Sequence, residues 1–405
     1  MNSQSAIPFL MITELFLPTK GGTAVSFDDD FRRLGGKEIH VITADVPGAA
    51  EFDLAHPNTI HRIVLRRIPW LKPESLLIYL KLLASAVRLA ATRPFVAIFA
   101  GRVLPEGFVA WIIARLWRRP VLVYAHGEEL TNWGRGRKFA LMRFVFRHAD
   151  AVLSNSDFTR DTLAGLLDVD PGRIAVVYPT VDEERFRPGI PGEGPRAQLA
   201  LKPGEHLVLS VGRLQRRKGF DTLVRALPLL HAQGIEAHFA LIGIGEDRPY
   251  LEQLASGLGV ADRTHLLGHV SYEELPRWYA ACDVFAMPNR DIDGDTEGFG
   301  LVFLEAASAG RPALAGLAGG TGSAVIDGVT GLRVDGEQLD AVVAGLARLL
   351  LHPAEAKQMG LNARRRVLEN FTHQRRVDEL RGLALRGRYR KAKRAGASPS
   401  GSSVA

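Results

Sequence analysis

Apolar runs of three to seven residues alternate with stretches of helical spacing along nearly the whole chain, and this alternation restricts the fold more than any other feature. A strand that reads as an unbroken apolar run is buried on both faces, which a parallel sheet covered by helices provides. One series of such runs falls at 9–15, 39–43, 95–100, 121–125, 152–155 and 174–178. A second falls at 207–211, 239–244, 265–267, 284–287, 313–315 and 331–334. Between them Leu76, Leu80, Leu83, Val87 and Ala90 keep helical spacing, as the crossover of a βαβ unit does. The fold class is therefore α/β, with two parallel sheets.

A length of 405 residues exceeds what one core usually supports, so two domains are expected. Residues 188–204 are rich in Pro and Gly and lack periodicity, which marks a linker and divides the chain into domains 1–190 and 191–371. A helix over about 372–395 follows, and the Ala/Ser/Gly/Pro tail at 396–405 has the composition of a disordered segment. The apolar start at 7–18 has no preceding Lys or Arg and is interrupted by Glu14, so it reads as a first buried strand rather than a secretory signal. The lone Cys282, in an apolar run, excludes an intrachain disulfide and fits a reducing cytoplasm.

Charge is unevenly spread. Residues 51–147 hold 16 Lys/Arg against 6 Asp/Glu, and residues 371–405 hold 9 against 2. An anionic partner near the first domain is expected, phospholipid head groups, a lipid-linked phosphate or nucleic acid, and an ordinary solvated basic face is the alternative. Arg66, Arg67, Trp70, Leu71 and Lys72 before one helix, and Arg115, Trp117, Arg118 and Arg119 at the end of another, suit a membrane interface or two plain helix ends. No aromatic-basic stacking array or recognition motif for nucleic acid is present.

The chemistry concentrates in the second half. Glu297-Gly298-Phe299-Gly300-Leu301 opens into an apolar helix that carries Glu305 about one turn in. Free amides and the positive end of that helix would face whatever Glu297 faces, so Phe299, Gly300 and Leu301 are expected around a phosphate. Glu305 has the geometry to accept hydrogen bonds from vicinal hydroxyls. Arg213 and Lys218 lie between a strand end and a helix start, the usual place of a diphosphate in an open α/β sheet. Gly21 and Gly22 follow the first strand and allow close approach of phosphate or sugar, while His126 ends a strand and is followed by Gly127, Glu128 and Glu129, the two glutamates suited to capping the next helix. Asp291, Asp293 and Asp295 form an acidic loop, but two cations beside a diphosphate make a metal unnecessary, and no metal or other cofactor is expected.

Taken together, Phe16-Leu17-Pro18-x-x-Gly21-Gly22, Val-Tyr-Ala-His126-Gly-Glu-Glu, Val-Gly212-Arg213-Leu-x-x-Arg-Lys218-Gly219 and Glu297-Gly-Phe-Gly-Leu-Val-Phe-Leu-Glu305 resemble the retaining glycosyltransferase family 4, in order and over nearly the whole chain. The resemblance implies the GT-B fold, two Rossmann-like doubly wound domains facing a cleft, with the C-terminal helix crossing back to the first domain. It implies that Arg213 and Lys218, the Gly22 backbone and the amides after Phe299 bind a donor diphosphate. Glu297 would contact donor-sugar hydroxyls, Glu305 the ribose, and His126 the sugar ring, with no enzyme nucleophile. Ser323 stands where many members carry Glu, so no role is transferred to it.

A layout similar to GDP-mannose-dependent lipid mannosyltransferases tilts the donor towards GDP-mannose, with UDP-hexose as the other choice, and base recognition is expected near residues 269–274. The reading is a hexosyltransferase acting on a glycan or polyprenyl- or other lipid-linked acceptor, cytoplasmic and peripheral at the inner face of the membrane. A sugar-nucleotide epimerase or hydrolase and a non-catalytic binding module are the alternatives.

Overall fold

The computed structural model describes residues 7–19, 21–65, 75–127, 130 and 136–394, with side chains to 386. Arg66, Arg67, Trp70, Leu71, Lys72, Glu128, Glu129 and the tail 396–405 lie outside the described residues. The chain forms two compact units, one of residues 1–155, 159–178 and 373–405, the other of 156–158 and 179–372.

In the first unit the strands are β1 (Phe9–Ile12), β2 (His40–Ala44), β3 (Thr59–Ile63), β4 (Ala97–Ala100), β5 (Val121–Ala125), β6 (Ala151–Ser154) and β7 (Ile174–Val176). They form one parallel sheet in the order β3-β2-β1-β4-β5-β6-β7. The helices are α1 (Gly22–Leu34), α2 (Ala49–Ala55), α3 (Leu76–Thr92), α4 (Phe108–Leu116), α5 (Arg137–His148) and α6 (Asp157–Leu167). The period of two is visible in β1, where Leu10 and Ile12 enter one core and Phe9 and Met11 the other, all four buried. On the first face α3 buries Ile78, Leu82, Ala86 and Leu89, one helical stripe, and stops at Arg93, which precedes a proline.

The second unit holds β8 (His206–Val211), β9 (Ala237–Ile242), β10 (Thr264–Gly268), β11 (Val284–Met287), β12 (Ala313–Gly316) and β13 (Gly331–Val334), parallel in the order β10-β9-β8-β11-β12-β13. Its helices are α7 (Glu193–Gln198), α8 (Phe220–Ala232), α9 (Arg248–Gly257), α10 (Leu275–Ala281), α11 (Leu301–Ser308), α12 (Leu339–Leu351) and α13 (Pro353–Asn370). In each sheet the order reverses beside the first strand of the unit, between β1 and β4 and between β8 and β11, and ligands of open α/β sheets bind at such points outside the strand C-terminal ends.

The chain passes from the first unit to the second at Tyr178–Pro179, ahead of the breaker-rich segment where the boundary at 190 was expected. That segment is not a free linker. It contains α7, and Arg196 ties it down through the Ala281 carbonyl at 3.0 Å and Asp283 at 3.2 Å. The last helix, α14 (His373–Arg394), belongs to the first unit. Its buried Arg376 donates from Nε to both oxygens of the buried Asp30 on α1, at 2.7 and 2.9 Å, and from Nη1 to the Val177 carbonyl at 2.9 Å. Cys282 is fully buried and its thiol is pushed up to about 12 by burial.

Candidate active site

In the second unit the loop after β8 makes a 3-10 turn over Arg216–Lys218 before α8 begins. This turn aims two cations at one carboxylate: Lys218 Nζ donates to Glu297 Oε2, and Arg217 Nη1 donates to the same oxygen at 3.2 Å. Arg217 also faces Asp295 at 3.3 Å. Burial alone would raise the Glu297 pKa, but Lys218 and then Arg217 outweigh it and hold the carboxyl below its ordinary range. Arg213, expected at a diphosphate from sequence, is exposed and forms no ion pair among the described residues, and Arg217, which the sequence did not single out, joins Lys218 on Glu297.

Glu297 is positioned by its own backbone. Its carbonyl accepts the Gly320 amide at 2.7 Å, and a Cβ at 320 would stand 1.9 Å from the Gly298 carbonyl, so only glycine lets these two loops meet. Three residues on, Gly300 takes φ 87° and caps α11, a left-handed conformation costly for other residues. The amides at Gly300 and Leu301 thus sit at a helix start just past the carboxylate, whereas the Phe299 side chain is buried against Phe371 and leaves only its backbone for a ligand.

Glu305, on the same helix, is held by a different partner. The buried Tyr279 hydroxyl donates to its Oε2 at 2.6 Å, and burial pushes its pKa up to about 7 despite that bond. The acidic loop is a tight turn, Ile292 bridging Asp295 with Asp293 and Gly294 at φ 53° and 83°. Among the described residues no group of three or more His, Cys, Asp or Glu side chains could hold a metal ion.

In the first unit, Gly21 at φ 137° precedes α1, which starts at Gly22, and space for 4 Å around a Cβ at Gly21 is empty. His126 follows β5 and lies beside Tyr124, with ring centroids 6.3 Å apart, and Phe27, at 5.8 Å. Its Nε2 is 2.8 Å from the Gly101 carbonyl, an acceptor, so Nε2 carries the proton. Beside this strand end stands a cluster that sequence reading missed. Arg102 reaches Glu14 and, at 3.2 Å, Glu106, while Glu106 accepts the Glu14 amide at 3.0 Å. Burial raises the Glu106 pKa against the pull of Arg102. The rule that selected His126, a polar residue just past a strand end, also applies to Arg102 after β4, but Glu14 and Glu106 are 92 residues apart and only the fold joins them.

Residues 21–185 match the model of "Glycosyltransferase Family 4" and residues 194–366 that of "Glycosyl transferases group 1". A GDP-mannose-dependent alpha-(1-6)-phosphatidylinositol monomannoside mannosyltransferase of Mycolicibacterium smegmatis is 32% identical over 95% of this chain and 100% of its own. The chain belongs to glycosyltransferase family 4. A second relative, the D-inositol 3-phosphate glycosyltransferase of Actinosynnema mirum, is 34% identical over 64% of this chain and 65% of its own. The structure of Anabaena HepE in complex with UDP superposes with a TM-score of 0.78 at 19% identity, over 93% of this chain and 99% of that one. The fold of this glycosyltransferase is thus GT-B, two parallel-sheet α/β units.

Proposed function

We propose that this glycosyltransferase is a retaining enzyme that moves a mannosyl unit from GDP-mannose to a lipid-linked or glycan acceptor. The observation that carries the reading is the convergence of Lys218 and Arg217 on Glu297 at the start of α11. When the bond from the anomeric carbon to the diphosphate breaks, negative charge develops on the leaving oxygen. Preplaced cations and helix-end amides stabilise that charge, and no covalent carboxylate is needed. Lys218, with Arg213 and the amides of Gly300 and Leu301, takes the diphosphate, together with the Gly21 and Gly22 backbone. Glu297, released from its cations, accepts hydrogen bonds from sugar hydroxyls. Glu305 accepts those of the ribose, and His126 lies against the sugar ring. The acceptor oxygen attacks on the face that the diphosphate leaves, and its proton passes to the departing phosphate oxygen.

The donor assignment is supported by a relative similar along its whole length that is named as GDP-mannose-dependent. A neighbour of similar fold was solved with UDP, so UDP-hexoses are the competing donors. Association with an anionic membrane is supported by the basic charge of residues 51–147 and by exposed Leu80 and Leu116 on α3 and α4. No described helix is long and apolar enough to cross a membrane. Thermal stabilisation and product analysis with GDP-mannose and UDP-glucose, each with and without phosphatidylinositol or polyprenyl phosphate, test the reading. Transfer from GDP-mannose that Glu297→Gln leaves at the wild-type rate overturns it. Free sugar or an epimer formed without acceptor points to the hydrolase or epimerase instead, and donor binding without turnover points to a binding module.

A further inference from the structure

The first unit contains a cavity of about 500 Å³ at the opposite end of its sheet from His126. Val121, Ala151 and Ile174, the first residues of β5, β6 and β7, form its floor, so it lies at the strand N-terminal ends and away from the crevice described above. Its volume is within the range of small-molecule sites. Trp111, Arg115, His148, Asp150, Arg173 and Arg386 supply the charged and aromatic lining. Three guanidinium groups thus face one carboxylate.

The partners of these groups compensate the charge only in part, since Arg173 pairs with Asp170 and Arg386 acts on Glu379. Asp150 Oδ2 accepts the Val121 amide at 3.0 Å, and Arg173 donates to the Arg147 carbonyl at 3.1 Å with Asp170 at 3.7 Å. Arg115 lies 5.6 Å above the Trp111 ring, and among the described residues neither Arg115 nor Arg386 has a carboxylate at ion-pair distance. The Trp111 indole nitrogen is buried and has no acceptor among the described residues. Guanidinium groups match phosphate oxygens with paired donors.

We propose that this cavity binds a phosphate-bearing ligand, held by Arg115, Arg173 and Arg386, with the Trp111 side chain in its wall. The phosphate belongs either to a free phosphorylated small molecule or to a phospholipid headgroup presented at a membrane surface. The site does not depend on the donor assignment, since none of its residues belongs to the donor-binding set.

The test uses the full chain labelled with 15N-tryptophan, whose five indole N–H signals are resolved by NMR and the Trp111 signal assigned from Trp111→Phe. Inorganic phosphate and pyrophosphate are titrated against chloride at matched ionic strength, and phosphatidylcholine vesicles are added with and without phosphatidylinositol. A saturable shift of the Trp111 signal with soluble phosphate identifies a free phosphorylated ligand; a change only with phosphatidylinositol vesicles identifies a headgroup. Arg115→Ala, an exposed position outside the transfer machinery, is expected to weaken the response about tenfold, the scale of one charge-assisted hydrogen bond, while transferase activity confirms its fold. No response to any phosphate probe, an equal response to chloride, or an undiminished response in Arg115→Ala overturns the proposal.

Discussion

Replacing Tyr279 by phenylalanine isolates one hydrogen bond in an otherwise unchanged setting. The ring is fully buried against Phe186 and Phe285, at centroid separations of 5.6 Å each, and phenylalanine preserves that packing. What is lost is the O–H that donates to Glu305 at 2.6 Å and holds down a carboxyl that burial already raises to about 7. A hydrogen bond to a charged group contributes about 1.5–3 kcal/mol, and one pKa unit corresponds to about 1.36 kcal/mol, so the Glu305 pKa should rise by roughly 1–2 units. A ribose diol donating to Glu305 needs the ionised carboxylate. Donor affinity is then level above the Glu305 pKa and falls about tenfold per pH unit below it. The fall begins near 7 in the wild type and near roughly 8–9 in Tyr279→Phe. At pH 7.5 the variant should bind donor roughly 3- to 25-fold more weakly, and the two proteins should converge above about pH 9.5. Calorimetric titration of the donor from pH 6 to 10 reads both curves, and ionisation of the nucleotide itself cancels in the comparison. Midpoints that coincide would refute the role of Glu305 at the ribose.

Arg217, freed together with Lys218 when Glu297 is released, is placed to donate to the same diphosphate, so Arg217→Ala should lower kcat/KM for transfer about 10- to 100-fold, the loss of one charge-assisted hydrogen bond to the leaving group, with unchanged circular dichroism; a wild-type rate would show that Arg217 serves only the loop. Arg376→Ala leaves Asp30 buried without its partner and should cost the first unit about 3–5 kcal/mol, read as a lower denaturation midpoint, whereas a shift below about 1 kcal/mol would contradict the buried ion pair. His40 and His61 lie 3.0 Å apart, nitrogen to nitrogen, and His238 and His265 3.1 Å apart; burial is the largest cause that lowers the pKa of all four. With folded pKa values depressed, the unfolded chain binds more protons below about pH 6.5, so this part of the stability is present above 6.5 and lost as pH falls towards the folded values. Glu305, raised to about 7, acts in the opposite sense, so urea unfolding of His61→Asn, His265→Asn and wild type from pH 5 to 8 is compared, and equal slopes in all three would contradict the assignment.

Among the described residues, twelve of the thirteen strands lie at apolar runs visible in the sequence, because strands covered on both faces must be apolar at consecutive positions. The missing one, β3, is an edge strand whose Thr59, His61 and Arg62 interrupt any such run and whose residues are all only half-buried. The same distinction separates what was legible in the site from what was not. Glu297 and Lys218 could be found because each sits beside a strand end or helix start, a position that sequence spacing defines. Which neighbouring arginine joins them could not, since Arg213 and Arg217 share one loop and only the 3-10 turn over Arg216–Lys218 decides that Arg217 faces the carboxylate. Tyr279 and Glu106 were hidden for a further reason: each acquires its chemistry from a residue far along the chain, Glu305 in one instance and Glu14 in the other. Position relative to the sheet is thus a local property and can be read early. The protonation state of a carboxylate depends on who faces it, so Glu297 and Glu305, similar in sequence, are held respectively below the usual range by two cations and near 7 by burial.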